Sequence, residues 1–225
     1  MIRVEKGAAP PILQENAEGW HAELLALRQQ KAPKKQTGKV QQRYRHKQVK
    51  AALVKAFHGR CAYCESQITA VTYGAIEHFF PKSRYPDRTF AWENLLLACD
   101  VCNSRKGDTF PLQADGAPLL VNPSAEDPAD RLQFDWNPIT GLASIYGRDR
   151  RGEAVVTLFD LNGTAGRTDL MARRSGYVKK LAALQKLAAS NLPAQAEAQA
   201  LLREAGDRTR SENEYQAFAS CFADS

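Results

Sequence analysis

The chain has 225 residues, 44% apolar and 25% charged, a balance that excludes wholesale disorder. No run approaches 18 consecutive apolar residues, so no membrane-spanning helix is expected. Met1-Ile2-Arg3-Val4-Glu5-Lys6 lacks the apolar run of a secretory signal, and the expectation is a soluble cytoplasmic protein. The net charge of +6 is unevenly spread: residues 28–60 hold eleven Lys or Arg and no Asp or Glu, while the remainder is net −5. Such a block is the electrostatic footprint of a protein that meets a polyanion, although a solvated basic helix would have the same composition.

Leu13, Ala17, Trp20, Leu24 and Leu27 recur at helical spacing and predict an amphipathic helix over 12–30. Pro33 and Gly38 mark 31–39 as a basic linker, followed by a helix over 40–57 with Val49, Ala52, Leu53, Ala56 and Phe57 inward. Gly59 suits its left-handed C-cap. Thr69 to Thr72 and Ala75 to Phe79 read as a hairpin around Gly74, Pro81 to Asp87 as loop, and Asn103 to Asp108 as a short helix ending at Gly107. Strands are expected near Leu132–Trp136, Ala143–Tyr146 and Val155–Leu158. A long helix opened by Leu161-Asn162-Gly163 follows, with helical segments near 194–204 and 211–222 after Pro193. The pattern divides into a helical, basic segment (1–38), a central unit (39–115) and a C-terminal helical region with short strands (116–225).

Five cysteines in a chain without a secretory signal point to metal rather than to disulfides. Four form two C-x-x-C pairs, Cys61/Cys64 and Cys99/Cys102; the fifth, Cys221, is expected to serve as a small apolar residue on a helix face. Each C-x-x-C turn brings two thiolates to one ion, and two such turns complete a tetrahedron with no open position. The expected zinc is therefore structural. A redox role is weak for two pairs together, with no βαβ pattern nearby.

Between the pairs stands Ile76-Glu77-His78-Phe79-Phe80-Pro81-Lys82-Ser83; Asn94 and Asn103 follow in Trp92-Glu93-Asn94-Leu95 and Cys102-Asn103-Ser104-Arg105-Lys106. His78, Asn94 and Asn103 in this order resemble the HNH endonuclease motif over Cys61 to Asp108. The resemblance implies an α+β, mainly helical protein: a ββα-metal HNH core with a structural four-cysteine zinc site, flanked by amphipathic helices. It further implies that His78 is the general base and that Glu77 and Asn103 offer oxygens to a catalytic Mg²⁺ or Mn²⁺. Asn94 would hold the loop between strand and helix, and the products would carry a 5′-phosphate and a 3′-hydroxyl. Most HNH proteins have Asp before the histidine; here the longer Glu77 could coordinate directly, bind through water, or serve another role.

Lys82, Arg84, Arg105, Lys106, Arg43, Lys47 and Lys50 are candidate nucleic-acid contacts, with DNA placed ahead of RNA. The I-E-H-F-F-P-K-S block, the Thr157-Leu158-Phe159-Asp160-Leu161-Asn162 block and Arg173-Arg174 resemble the HNH proteins of the Septu anti-phage defence system, the PtuB group, and their retron-associated relatives. That likeness implies a partner, an ABC/SMC-like ATPase (PtuA), on which the helical flanks would dock. A non-catalytic zinc ribbon that binds nucleic acid would also explain the cysteines and the basic block. It would leave His78, Asn94 and Asn103 without a role.

Overall fold

The computed structural model describes residues 1–68, 72–207 and 213–223. Helix α1 (Pro11–Gln29) starts on a proline, whose fixed φ suits the first turn, and buries Leu13, Leu24 and Leu27. The expected linker over 31–39 is shorter: α1 ends at Gln29, and Pro33 is the N-cap of α2 (Lys34–Gln41), which runs into a 3₁₀ turn over 42–45. His46 then adopts an extended conformation and accepts a hydrogen bond on its ring from the Gln48 amide, so α3 (Lys47–Ala56) is a separate helix. The kink turns Tyr44 and Arg45 away from the direction of α3. Beyond it, Gly59 has φ +69° and closes the chain back onto the Val54 carbonyl.

Strand β1 (Ala75–His78) pairs antiparallel with β2 (Leu95–Ala98), His78 opposite Leu95 and Glu77 opposite Leu96. Among the described residues the partner of β1 comes from beyond a 16-residue loop; the expected hairpin partner, Thr69 to Thr72, falls mostly at 69–71, which lie outside the described residues. Leu95, Leu96, Leu97 and Ala98 are all fully buried, and Val49 and Leu53 of α3 and Phe57 at its C-cap belong to the same core. Helix α4 (Asp100–Lys106) follows, three residues earlier than expected because Cys99 serves as its N-cap. Together β1, β2 and α4 form a ββα unit.

Strands β3 (Leu132–Asn137) and β4 (Leu142–Gly147) form a second antiparallel pair. The expected strand at 155–158 is instead part of α5 (Arg150–Phe159). The Asp149 carboxylate accepts from the amides of Arg151 and Gly152, and Gly152, Val155 and Phe159 share one buried face at helical spacing. Gly152 is required there, since a Cβ would lie 2.0 Å from the Arg131 carbonyl. Helices α6 (Thr168–Ala188), α7 (Gln195–Gly206) and α8 (Gln216–Ala223) complete the chain. The last was expected to start at 211, but 211 and 212 lie outside the described residues, as does the side chain of Cys221. None of the described helices is long and apolar enough to cross a membrane.

The Asp160-Leu161-Asn162 and Arg173-Arg174 blocks acquire structural roles. Arg174 is 1% exposed, donates to the carbonyls of Ala143 (2.8 Å) and Leu161 (2.6 Å) and to Asn162 Oδ1, and its guanidinium is pulled down to about 10 by burial. Arg174→Leu leaves the two carbonyls without this donor, while Asn162 Oδ1 keeps the Ile145 amide at 2.9 Å. Each such group costs about 1–3 kcal/mol, so the expected loss is about 2–6 kcal/mol and a melting temperature lower by about 10 °C. An unchanged melting curve would refute that role.

Candidate metal centre and active site

The ββα unit brings the two C-x-x-C turns together. All four Sγ atoms lie within 4.8 Å of one another, and Cys64 Sγ and Cys99 Sγ are 3.8 Å apart. A zinc–sulfur length of about 2.3 Å gives a tetrahedral edge of about 3.8 Å, so the donor set fits a zinc ion. Backbone amides orient the sulfurs: Cys99 N donates to Cys61 Sγ (3.3 Å) and Cys102 N to Cys99 Sγ (3.4 Å). Arg167 Nη1 lies 3.4 Å from Cys102 Sγ and is anchored on the Phe159 carbonyl. Burial pushes the Cys61 thiol up, so four thiolates in this spot call for a cation. Such an ion would tie the segment before β1 to α4.

On another side of the same unit, His78, Glu77 and Asn103 line one cleft of about 540 Å³. His78 ends β1 and is 4% exposed. Its Nε2 lies 3.0 Å from the Thr89 carbonyl; a carbonyl only accepts, so Nε2 carries the proton and Nδ1 keeps the lone pair. Burial, reinforced by Lys82, pushes the imidazole down to about 3, so it is neutral across the ordinary pH range. The ring of Tyr44 meets the His78 ring edge-on, with centroids 4.5 Å apart.

Asn94 is 3% exposed and faces backbone. Its Oδ1 accepts from Phe80 N (2.7 Å), and its Nδ2 donates to the carbonyls of Phe80 and Arg88. These bonds pin both ends of the loop that follows His78, including the segment that presents Thr89. Glu77 is buried, and its Oε1 lies 2.7 Å from Lys106 Nζ. Burial raises its carboxyl while Lys106 opposes the rise. The lysine also donates to the His78 carbonyl at 2.7 Å.

The basic candidates separate. Lys82 and Lys50 line the cleft, Lys50 through a 2.7 Å bond to the Gly74 carbonyl, and Lys47 is exposed. Lys106 is corrected outright: it is fully buried and cannot meet an incoming phosphate. Arg43, Arg84 and Arg105 are committed to Glu23, the Phe110 carbonyl and Asp160 respectively. The cleft also contains Tyr44, Arg45 and Asp108, which sequence reasoning missed. Asp108 follows the C-x-x-C-N-x-x-K-G run directly, and that adjacency was the available signal.

A family model described as HNH endonuclease matches residues 61–109, the stretch that carries both metal-ligand turns and the cleft residues of β1 and α4. Over 212 residues the chain is 29% identical to a Septu protein PtuB from Bacillus mycoides (strain KBAB4), covering 80% of this chain and 68% of that one. It is 30% identical over 116 residues to a Septu protein PtuB from Bacillus thuringiensis, covering 51% and 41%. No solved structure matches.

Proposed function

From an HNH endonuclease domain at residues 61–109, in a chain similar to two Septu PtuB proteins, we propose a metal-dependent nuclease that cuts DNA in anti-phage defence and acts with an ABC/SMC-like ATPase. The observation that carries the chemistry is His78: its proton sits on Nε2, bonded to Thr89, and Nδ1 is the basic nitrogen in a cleft shared with Glu77 and Asn103. The carboxylates of Glu77 and Asp108 and the amide of Asn103 are hard oxygen donors that suit Mg²⁺ or Mn²⁺, with Lys106 2.7 Å from Oε1 of Glu77. A divalent ion held there would neutralise charge on the phosphate and on the departing oxygen.

His78 takes a proton from water as the water oxygen bonds to phosphorus. The bond from phosphorus to the 3′-oxygen breaks, and that oxygen is protonated from solvent. Asn94 keeps the Thr89 carbonyl in place, so the imidazole tautomer is fixed before substrate arrives. A zinc ion on Cys61, Cys64, Cys99 and Cys102 would hold α4, and with it Asn103, against β1.

The test is incubation of plasmid DNA and total RNA with the purified chain, alone and with the ATPase, in Mg²⁺, Mn²⁺ or EDTA. Metal-dependent cutting of DNA is the expected result. Failure to cut either polymer under every condition would refute the nuclease, and cutting confined to RNA would refute the DNA assignment.

A further inference from the structure

We propose that Tyr44 and Arg45, from the kinked segment before α3, complete the active site by forming with Lys82 a cradle for a backbone phosphate beside His78. The proposal rests on the nuclease reading for its substrate and names residues outside the matched domain. Tyr44 is 4% exposed, stands edge-on to His78, and supports two cations. The Arg45 guanidinium and Lys82 Nζ each lie 5.7 Å from its ring centroid, and Arg45 Nε donates to Tyr44 Oη at 3.2 Å. All three residues line the cleft, and Arg45 is exposed to solvent.

Pairing sets these two cations apart from their neighbours. Arg43 has Glu23, Arg105 has Asp160 and Lys106 has Glu77, whereas no ion pair to a described residue engages Arg45 or Lys82. Two like charges held near one aromatic ring and one neutral imidazole repel each other until an anion lies between them. A phosphodiester fits, because its two non-bridging oxygens match the planar fork of a guanidinium and the point charge of an ammonium. The Tyr44 brace means that less side-chain freedom is lost when the phosphate arrives.

The kink supplies the geometry. A continuous helix over 40–57 would place residues 44 and 45 one turn behind α3 on its cylinder. The extended His46 instead sets the 3₁₀ turn against the end of β1.

The test measures equilibrium binding of a 30-base-pair DNA duplex and of an RNA of the same length, by fluorescence anisotropy across a salt series without divalent ions. It compares the unmodified chain with Arg45→Ala, Arg45→Lys, Tyr44→Phe and, as a distant control, Lys179→Ala on α6. Arg45→Ala is expected to weaken binding about five- to tenfold and to reduce the slope of log affinity against log salt by about 1. Arg45→Lys keeps the slope and loses affinity, Tyr44→Phe loses less, and Lys179→Ala matches the parent. In cleavage, Arg45→Ala raises KM more than it lowers kcat. Unchanged affinity and slope in Arg45→Ala, or equal losses in Lys179→Ala, would overturn the cradle even if the parent cuts DNA. Binding that depends on Arg45 in a chain that never cuts would uphold the cradle and refute the nuclease. No binding of either polymer at low salt would overturn both.

Discussion

His78→Ala is expected to lower kcat for DNA cleavage by about 10²- to 10⁴-fold, the range associated with loss of a general base, while zinc content stays unchanged. The substitution leaves the Thr89 carbonyl without its 3.0 Å partner, a cost of about 1–3 kcal/mol that a melting curve will register without loss of fold. The same residue sets the pH behaviour. With its imidazole held near 3 by burial and by Lys82, His78 stays unprotonated down to mildly acidic pH. A rate profile should therefore lack an acid limb near 6.5, the ordinary histidine value.

Stability carries the matching sign. Between about 6.5 and 3 the unfolded chain binds a proton at His78 that the folded chain does not. Folding therefore weakens as pH falls through that window, by at most about 1.4 kcal/mol per unit. A His78→Ala variant that cuts at the parent rate would remove the residue from its assigned role, whereas an acid limb with its midpoint at 6.5 would refute the depressed imidazole value.

Cys102→Ser should do more damage than any cleft substitution, because it removes a ligand at a position that is fully buried. Structural zinc sites contribute apparent free energies of about 10–16 kcal/mol, comparable to or larger than the whole stability of an ordinary domain. The expected outcome is loss of bound zinc by elemental analysis, together with loss of the cooperative melt. Cys61→Ser, in the other C-x-x-C turn of the same cluster, should behave alike. Arg167 gives a milder control, since Arg167→Ala removes a cation 3.4 Å from Cys102 Sγ and leaves four thiolates in place. A Cys102→Ser protein that keeps its zinc and its melting temperature would refute the four-cysteine site.

These two effects concern the parts that sequence could declare. Paired C-x-x-C turns and a Glu-His dyad are legible because coordination and proton transfer demand particular atoms at particular spacings. What surrounds them obeys weaker constraints. Val155-Val156-Thr157-Leu158 is β-branched and apolar, and reads as strand; the Asp149 cap and the close approach at Gly152 make it helix. β1 pairs with Leu95–Ala98, and no local pattern announces a partner that distant. Lys106 sits in a basic motif and reads as a phosphate contact. Its burial against Glu77 follows only once α4 is laid across β1. Tyr44 and Arg45 were hidden for the same reason, inside a stretch taken for uninterrupted helix.

The placement of that kinked segment bears on how portable the nuclease is. The stretch recognisable by family, 61–109, holds the metal-ligand turns and the His78 strand, but one wall of the cleft and the floor under β2 come from residues 44–57. Excised at its family boundaries and grafted elsewhere, the module would keep its metal-ligand turns and His78 but lose Tyr44, Arg45 and Lys50 from the cleft and Val49, Leu53 and Phe57 from the core. Whatever lineage or engineer transplants this unit must move the preceding arm with it, as a single heritable block.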